Sequence, residues 1–201
     1  MSLLARLRPV PVALFILSFV LATTTGCFKR YTVIKQSGPP SALQGTTAMA
    51  VQFDTSNIAI SKDRMSEQQW LETREKDEHR ANYTDSLQAA NTNFLSGLQS
   101  RLNGVALSMG QAQPGQLQIT VSYTWWEEGM YAGVVAWPSE ATARVMFSRD
   151  GEVLDEIEVK TKEDANLGNA DPRARFRTIG TRLGQFTAQF INDSMAAAAG
   201  S

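Results

Sequence analysis

The spacing of apolar residues changes twice along this chain, and that change restricts the fold more than any other feature. Apolar residues first recur every three or four positions, at Tyr83, Leu87, Ala90, Phe94, Leu98 and Leu102. They next alternate with polar residues, at Leu117, Ile119, Val121, Tyr123 and Trp125. The wider spacing then returns at Phe176, Ile179, Leu183, Phe186, Phe190 and Ile191. The first and last patterns are typical of amphipathic helices, and the middle one of a half-buried strand.

Shorter patterns complete the predicted elements. Val51 and Phe53 lie on alternate positions of a first strand, and alternation over residues 141–147 and 153–159 indicates two more strands. Between these two, Asp150 and Gly151 favour a two-residue hairpin turn, because both tolerate positive φ angles. The predicted order is β-α-β-β-β-α. We therefore predict an α+β fold: a single two-layer sandwich in which two amphipathic helices cover one face of a mainly antiparallel sheet of about four strands.

The first helix has a well-marked start, but its length is open. Ser66 and Gln69 have the spacing of a capping box, which predicts a helix from residue 67. Residues 72–82 are almost entirely polar or charged. A continuous helix over 67–103 would be about 55 Å long, so its first half would overhang the sheet. Alternatively the helix breaks, and Asp85 with Gln88 then provides a second start.

The last predicted helix carries two glycines and a basic cluster. Gly180 and Gly184 are four residues apart, and glycine lets a neighbouring backbone approach closely. We therefore expect this helix to pack tightly against the first helix or the sheet. The basic residues are Arg173, Arg175, Arg177 and Arg182. They suit contact with lipid headgroups or an acidic partner, but a solvated helix face balanced by acidic strand residues is the favoured interpretation.

The single cysteine of the chain, Cys27, follows Gly26 at the end of a short apolar segment. That segment, residues 10–22, lies behind Arg6 and Arg8, and its 13 residues are fewer than the ~20 that a membrane-spanning helix needs. This layout is typical of a bacterial lipoprotein signal. It predicts that residues 1–26 are removed and that acyl chains on the Cys27 sulfur and the new amino group anchor the chain in a membrane.

Two neighbouring positions bear on the predicted signal. Thr24 occupies the place where lipoprotein signals usually carry Leu, Val or Ile, so an ordinary secretory signal cut near residue 22 or 26 is the alternative. That cut would leave Cys27 as a free thiol, which is uncommon in exported proteins. Phe28 follows the cysteine, instead of the Asp that retains enterobacterial lipoproteins in the inner membrane. We therefore expect an outer-membrane anchor with the domain facing the periplasm.

Composition divides the remaining chain into a tether and one domain. Residues 27–45 contain several Ser, Gly and Pro residues, which predicts a flexible tether, and residues 46–196 are long enough for a single domain with its own core. Residues 197–201 are expected to fray. The full chain has a formal net charge of −1, and loss of Arg6 and Arg8 leaves about −3. This charge, with no nucleic-acid-binding motif, argues against nucleic acid as a partner.

The sequence offers no combination of side chains that predicts catalysis. Its one histidine, His79, lies in the charged stretch, where a solvated role is favoured over an acid-base role. Metal binding is not indicated, because a lone histidine, an acylated cysteine and scattered carboxylates form no ligand cluster. Glu127 and Glu128 are adjacent on a strand end and point to opposite sides. We therefore predict a protein that is not an enzyme and has no cofactor, metal site or catalytic residue.

The most unusual composition lies between residues 123 and 138, where aromatic residues surround two glycines. Aromatic residues often anchor protein interfaces, so we predict a partner surface formed by Trp126, Met130, Tyr131 and Trp137. The alternative is ordinary packing, with Trp125 on the core face and Trp137 capping the sheet. Contact with a membrane is less favoured, because Glu127 and Glu128 would have to approach lipid headgroups.

Several weak motifs combine into a resemblance. They are Gly26 and Cys27, Val51 and Phe53, Leu95, Leu98 and Leu102 before Gly104, the alternation over 117–121, and Arg182, Leu183 and Gly184. Together they resemble small bacterial envelope lipoproteins of unknown function with a βαβββα domain, and more remotely the auxiliary lipoproteins of ABC-type lipid transporters. The resemblance implies a non-enzymatic binding or assembly module for a periplasmic or outer-membrane protein partner. The alternative is an auxiliary lipoprotein of a system that transports lipid or another small molecule.

Overall fold

The computed structural model describes residues 30–38 and 41–197. In these residues the strands are β1 (Tyr31–Lys35), β2 (Ala48–Asp54), β3 (Ala59–Ile60), β4 (Ala106–Met109), β5 (Leu117–Glu127), β6 (Met130–Ala132), β7 (Val135–Trp137), β8 (Ser139–Arg149) and β9 (Glu152–Glu163). The helices are α1 (Glu67–Glu72), α2 (Asp77–Gln99) and α3 (Pro172–Ala197), and a single 3-10 turn spans Leu167–Asn169.

Seven of the strands form one mixed sheet in the order β1-β9-β8-β5-β2-β4, with β3 beside β5. The β1, β9, β8 and β5 neighbours are antiparallel, whereas β2 is parallel to β4 and β5, and β3 is parallel to β5. The α+β class is confirmed, but the predicted sheet of about four mainly antiparallel strands is wrong. The sheet is larger because β1 and β4 join its edges and the short β3 pairs with the end of β5. It is mixed because the helical connection after β2 returns the chain in the same direction.

The two long helices pack backbone against backbone. A methyl group on Gly180 would overlap the carbonyl group of Ala90, and one on Gly184 would overlap the carbonyl oxygen of Phe94. Gly97 of α2 makes the same kind of contact with α3. The close approach predicted for Gly180 and Gly184 is therefore present, and α2 is the partner. The buried side chains of both helices join those of the sheet in one hydrophobic core.

The capping box predicted at the first helix is present. The Ser66 hydroxyl oxygen accepts a hydrogen bond from the Gln69 amide at 3.3 Å, and the Gln69 side chain accepts one from the Ser66 amide at 3.0 Å. The helix is not continuous to residue 103, because α1 ends at Glu72 and the next helix starts at Asp77. The second start is thus eight residues before the predicted one at Asp85. The break allows α1 to lie beside β3 instead of overhanging the sheet.

The first strand lies in the segment that we predicted to be a flexible tether. β1 pairs antiparallel with β9, and the ring of Tyr31 is buried edge-on against Phe190, with 5.3 Å between ring centroids. Further along, the Asp155 carboxylate accepts hydrogen bonds from the amide and hydroxyl groups of Ser37 at 2.5 and 2.9 Å. Leu43 is fully buried. The folded domain therefore includes residues from 31 onward, before the predicted domain start at residue 46.

Candidate functional site

β5 changes its buried face just before it leaves the sheet. Tyr123 pairs with Ala143, whereas Trp125 pairs with Thr142, so Thr124 is an extra residue on β5. One extra residue in a strand exchanges its two faces. As a result Trp125 is only half-buried, although the alternation of the sequence predicted it on the core face. The residue that follows it turns inward instead.

That residue, Trp126, is fully buried and does not belong to any surface. Its ring stacks on Phe176 of α3, with 3.8 Å between ring centroids and an interplanar angle of 2°. Tyr83 and Tyr123 meet it edge-on, with centroid distances of 6.1 and 5.4 Å. The prediction that Trp126 contributes to a partner surface is therefore wrong. Trp126 instead fixes the end of β5 against both long helices.

Arg175 is also buried, in contrast to the solvated helix face predicted for the basic cluster. Its guanidinium donates hydrogen bonds to the Ser139 hydroxyl at 2.7 Å and to the Glu128 carbonyl at 3.0 Å. It also donates to the carbonyl oxygens of Asn169 and Ala170, at 2.8 and 2.6 Å. Burial lowers the pKa of the guanidinium, and nearby carboxylates oppose this. Arg175 thus ties the end of β5 and the start of β8 to the start of α3.

Beyond this buried cluster, β6 and β7 prolong the β5–β8 pair as a hairpin. Met130 pairs with Trp137, and Ala132 pairs with Val135. Since alternate residues of a strand share a face, these four side chains lie on one face of the hairpin. Met130, Val135 and Trp137 are 41–48% exposed, and Val134 at the turn is fully exposed. The hairpin therefore presents a continuous apolar face to solvent.

Two glycines determine the shape of this hairpin. Gly133 is the first of the two turn residues and has a φ angle of 68°, which glycine adopts without strain. Gly129 at the base has a φ angle of 64°, and a Cβ atom there would overlap the backbone of Trp137 and Pro138. Any other residue at 129 would push the two strands of the hairpin apart.

The loop after β3 places two cations beside the hairpin. The Lys62 ammonium lies 3.6 Å from the centre of the Trp137 ring, and the Arg64 guanidinium lies 5.4 Å from that of Trp125. Each exposed pair of this kind stabilises the fold by roughly 0.5–1 kcal/mol. Asp63 lies between the two cations in the sequence, so residues 61–65 carry one net positive charge. One border of the apolar face is therefore cationic.

The two glutamates at the base of the hairpin both have partners. The Glu127 carboxylate accepts a hydrogen bond from the Gly129 amide at 3.1 Å. The Glu128 carboxylate lies 3.8 Å from the Arg74 guanidinium, and its side chain is only 21% exposed. Burial raises the pKa of Glu128, while the charge of Arg74 lowers it in part. In the sequence, the charges of Glu127 and Glu128 argue against contact of this region with a membrane. In the structure, both residues lie at the base of the hairpin and not at its turn.

The direction of β1 shows at which end of the sheet the chain enters the domain, and this is the end that carries the hairpin. Tyr31 lies opposite Val159, and the following residues of β1 run back toward Glu156. β1 therefore enters the sheet from the side of Glu163, the residue that pairs with Ser139. Because Ser139 directly follows the hairpin, the hairpin and the start of β1 lie toward the same end of the sheet. Cys27 and Phe28, which precede this point, lie outside the described residues.

Three of the four residues predicted as a partner surface, Met130, Tyr131 and Trp137, are brought together in the hairpin. Tyr131 is half-buried and points to the other face from Met130 and Trp137. Sequence reasoning missed two exposed apolar residues of the hairpin: Val134, which is its most exposed apolar side chain, and Val135, which is 41% exposed. Their signal was the apolar run on both sides of Gly133, which is the pattern of a short hairpin.

The rest of the described surface offers little for chemistry. His79 is exposed on α2, and no group of three or more potential metal-ligating side chains occurs in residues 30–38 and 41–197. A groove of about 540 Å³ is lined by Glu67, Gln68, Leu71, Glu72 and Arg80. These residues belong to α1 and to the first turn of α2. This position differs from a cavity between the sheet and the helices, which a carrier of apolar molecules would need.

Comparisons with known proteins give structural neighbours only. Within the described residues, each helix is too short or too polar to cross a membrane. No family model and no curated protein matches the sequence. Similar solved structures include a PelC dodecamer from Paraburkholderia phytofirmans, with 12% identity over 79% of this chain and 95% of that chain and a TM-score of 0.40. A minor lipoprotein from Acinetobacter baumannii has 9% identity over 72% and 94% of the two chains and a TM-score of 0.40.

A DUF330 protein from Xanthomonas campestris has 12% identity over 85% of this chain and 97% of that chain, with a TM-score of 0.42. At identities of 9–12%, the function has to be argued from the residues of this chain.

Proposed function

We propose that the protein is a lipid-anchored, non-enzymatic lipoprotein of the bacterial outer membrane, facing the periplasm, and that it acts as a binding or assembly module. The proposed lipidation site is Cys27, and the proposed contact surface is the apolar face of the β6–β7 hairpin with its turn. The observation that carries this proposal is the exposure of Met130, Val134, Val135 and Trp137 in one place. A contiguous exposed apolar surface usually marks a site of interaction.

The placement of the buried polar groups favours binding over catalysis. Arg175 is engaged with backbone carbonyl groups, and the Glu128 carboxylate lies beside Arg74. The Tyr83 hydroxyl donates a hydrogen bond to Glu67 at 3.0 Å. These groups hold the end of the sheet together and leave no acid, base and nucleophile facing one another in the described clefts.

The apolar hairpin also favours a docking role over the alternative of an auxiliary protein that carries lipid or a small molecule. The residues that line the described groove, among them Glu67, Leu71 and Arg80, belong to α1 and α2 and not to the sheet. The close contact of Gly180 and Gly184 with α2 leaves no room for a ligand between the helices at that level. Four of the eight large apolar side chains that are exposed in the described residues lie instead together on the hairpin, which suits contact with another surface.

Photo-crosslinking in intact cell envelopes tests this proposal. A photoreactive phenylalanine derivative replaces Val135 in the full chain, and the matched control carries it at Glu152, an exposed position at the opposite end of β9. We expect a specific lipid or protein adduct from position 135 and none from position 152. Equal labelling from both positions, or no adduct from position 135, would contradict a contact surface at the hairpin.

A further inference from the structure

The exposed hairpin has an unusual combination of an apolar face, an apolar turn and a cationic border. Its exposed side chains are of the kinds that enter the boundary between lipid headgroups and acyl chains: Met130 and Trp137 at the base, and Val134 and Val135 at the turn. The Lys62 ammonium lies over the Trp137 ring, and the flexible side chain of a lysine at this border can turn its ammonium group toward headgroup phosphates.

The chain length before β1 limits how far the domain can lie from a lipid-anchored Cys27. Cys27 precedes Tyr31 by four residues, which span at most about 14 Å. Val159, opposite Tyr31, precedes the end of β9 at Glu163 by four residues, or about 13 Å along the strand. An acylated Cys27 can therefore reach the level of the sheet end near Ser139, and hardly beyond it.

The hairpin projects further than that level. β7 contributes three residues beyond the base, which corresponds to about 10 Å at the rise of a strand, and the turn adds Val134. An anchor held at the membrane surface within reach of the sheet end would therefore bring the turn to the same membrane. The lateral separation is small as well, because only β9 lies between β1 and β8 in the sheet.

We propose that the hairpin inserts its turn and apolar face into the interface of the same bilayer that holds the acyl groups of Cys27. This inference rests on the lipid anchor of the proposed function and specifies the partner of the hairpin as a phospholipid surface. The acyl chains supply the anchoring, and the hairpin fixes the orientation of the domain relative to the membrane. The sheet then stands with its β8–β9 turn toward the periplasm.

Fluorescence quenching in reconstituted vesicles tests this orientation. The full acylated protein carries Val134→Cys labelled with an environment-sensitive fluorophore, in vesicles of phosphatidylethanolamine and phosphatidylglycerol. The acylated sulfur of Cys27 does not react with the label, and Glu152→Cys is the control. We expect lipids with a nitroxide on the upper acyl chain to quench the probe at 134, with a blue shift of its emission, and to leave the probe at 152 unquenched.

A second variant separates insertion from mere proximity. Val135→Asp, added to the labelled Val134→Cys protein, should remove the quenching and the blue shift while the acylated protein stays on the vesicles. Equal quenching at 134 and 152, or quenching that Val135→Asp does not change, would overturn the insertion. An envelope protein captured from position 135, with no quenching at 134, would also overturn it and would leave the proposed function intact. An unacylated Cys27 would overturn the lipid anchor itself.

Discussion

Arg175 shows how a single side chain can hold together three parts of this domain. Its guanidinium donates hydrogen bonds to carbonyl groups of Glu128, Asn169 and Ala170 and to the Ser139 hydroxyl. A buried guanidinium is tolerated because nearly every N–H group has an acceptor, in the planar arrangement that arginine provides. The same contacts set the position from which the hairpin projects.

Replacing Arg175 by Ala should lower the free energy of unfolding by about 3 kcal/mol, because several buried carbonyl groups lose their donor. Arg175→Lys should recover only a small part of this loss, since a single ammonium group cannot donate to all the oxygen atoms that surround the planar guanidinium group. Urea denaturation measures both effects. Arg173→Ala is the matched control: Arg173 is about half-exposed and pairs with Asp85 and Asp171 at the surface, where solvent screens the ion pairs, so we expect a much smaller loss than in Arg175→Ala. A similar loss in both alanine variants would contradict the buried role of Arg175.

Glu128 should make the stability of the domain depend on pH. Burial raises the pKa of its carboxyl group in the folded state. The folded protein therefore binds this proton more tightly than the unfolded chain does, and the free energy of unfolding falls as the pH rises from the ordinary carboxyl range through the raised pKa. Above that range the ionised carboxylate is a cost to the folded state.

Glu128→Gln should remove this cost. We expect the stability of the variant relative to the unmodified protein to increase as the pH rises above the ordinary carboxyl range, as measured by thermal or urea unfolding at a series of pH values. Glu152→Gln, at an exposed position, is the control and should show no such trend. A relative stability of Glu128→Gln that stays constant, or that decreases with rising pH, would be inconsistent with a buried carboxylate.

At the scale of elements, the contact between α2 and α3 depends on the absence of side chains. Gly184→Ala places a methyl group into the Phe94 carbonyl of the facing helix, so the helices must separate. We expect a loss of about 2–3 kcal/mol in the free energy of unfolding. Gly168→Ala makes the same chemical change where the new Cβ atom has only an ordinary contact at 3.4 Å, and should cost about 0.5 kcal/mol or less. Equal losses in the two variants would contradict the close helix contact.

Periodicity located most elements correctly but could not reveal the bulge in β5. The alternation from Leu117 to Tyr123 places the buried side chains as predicted. The extra residue, Thr124, is defined by the pairing of β5 with β8, and such a partner-dependent feature leaves no mark in the alternation of one strand. For this reason Trp125 and Trp126 were assigned to the wrong faces, and the predicted partner surface contained one core residue.

The first strand was missed for a different reason. Ser, Gly and Pro between residues 37 and 45 predicted a tether, and this composition outweighed the β-branched residues Thr32, Val33 and Ile34 just before it. A five-residue edge strand becomes stable only when a partner strand is available, here β9. The turn at Asp150 and Gly151, by contrast, is determined locally, and both residues have the predicted positive φ angles.

At the scale of the whole molecule, one end of the sheet collects the features that bear on function. The hairpin, the cations after β3 and the entry of β1 all lie toward that end. The opposite end has the β8–β9 turn and the loop before β5, which are joined by a hydrogen bond from the Gly115 amide to Asp150 at 2.7 Å. Because the two ends of the sheet differ in this way, the domain has a defined orientation relative to a membrane if Cys27 is the anchor.

The most direct test of the lipid anchor is the mass of the N-terminal peptide of the protein extracted from native membranes. We expect a peptide that begins at Cys27, with a diacylglyceryl group on its sulfur and a further acyl group on its amino nitrogen. An unmodified Cys27 thiol, or a peptide that retains the residues before it, would contradict the anchor and with it the orientation of the hairpin toward the membrane.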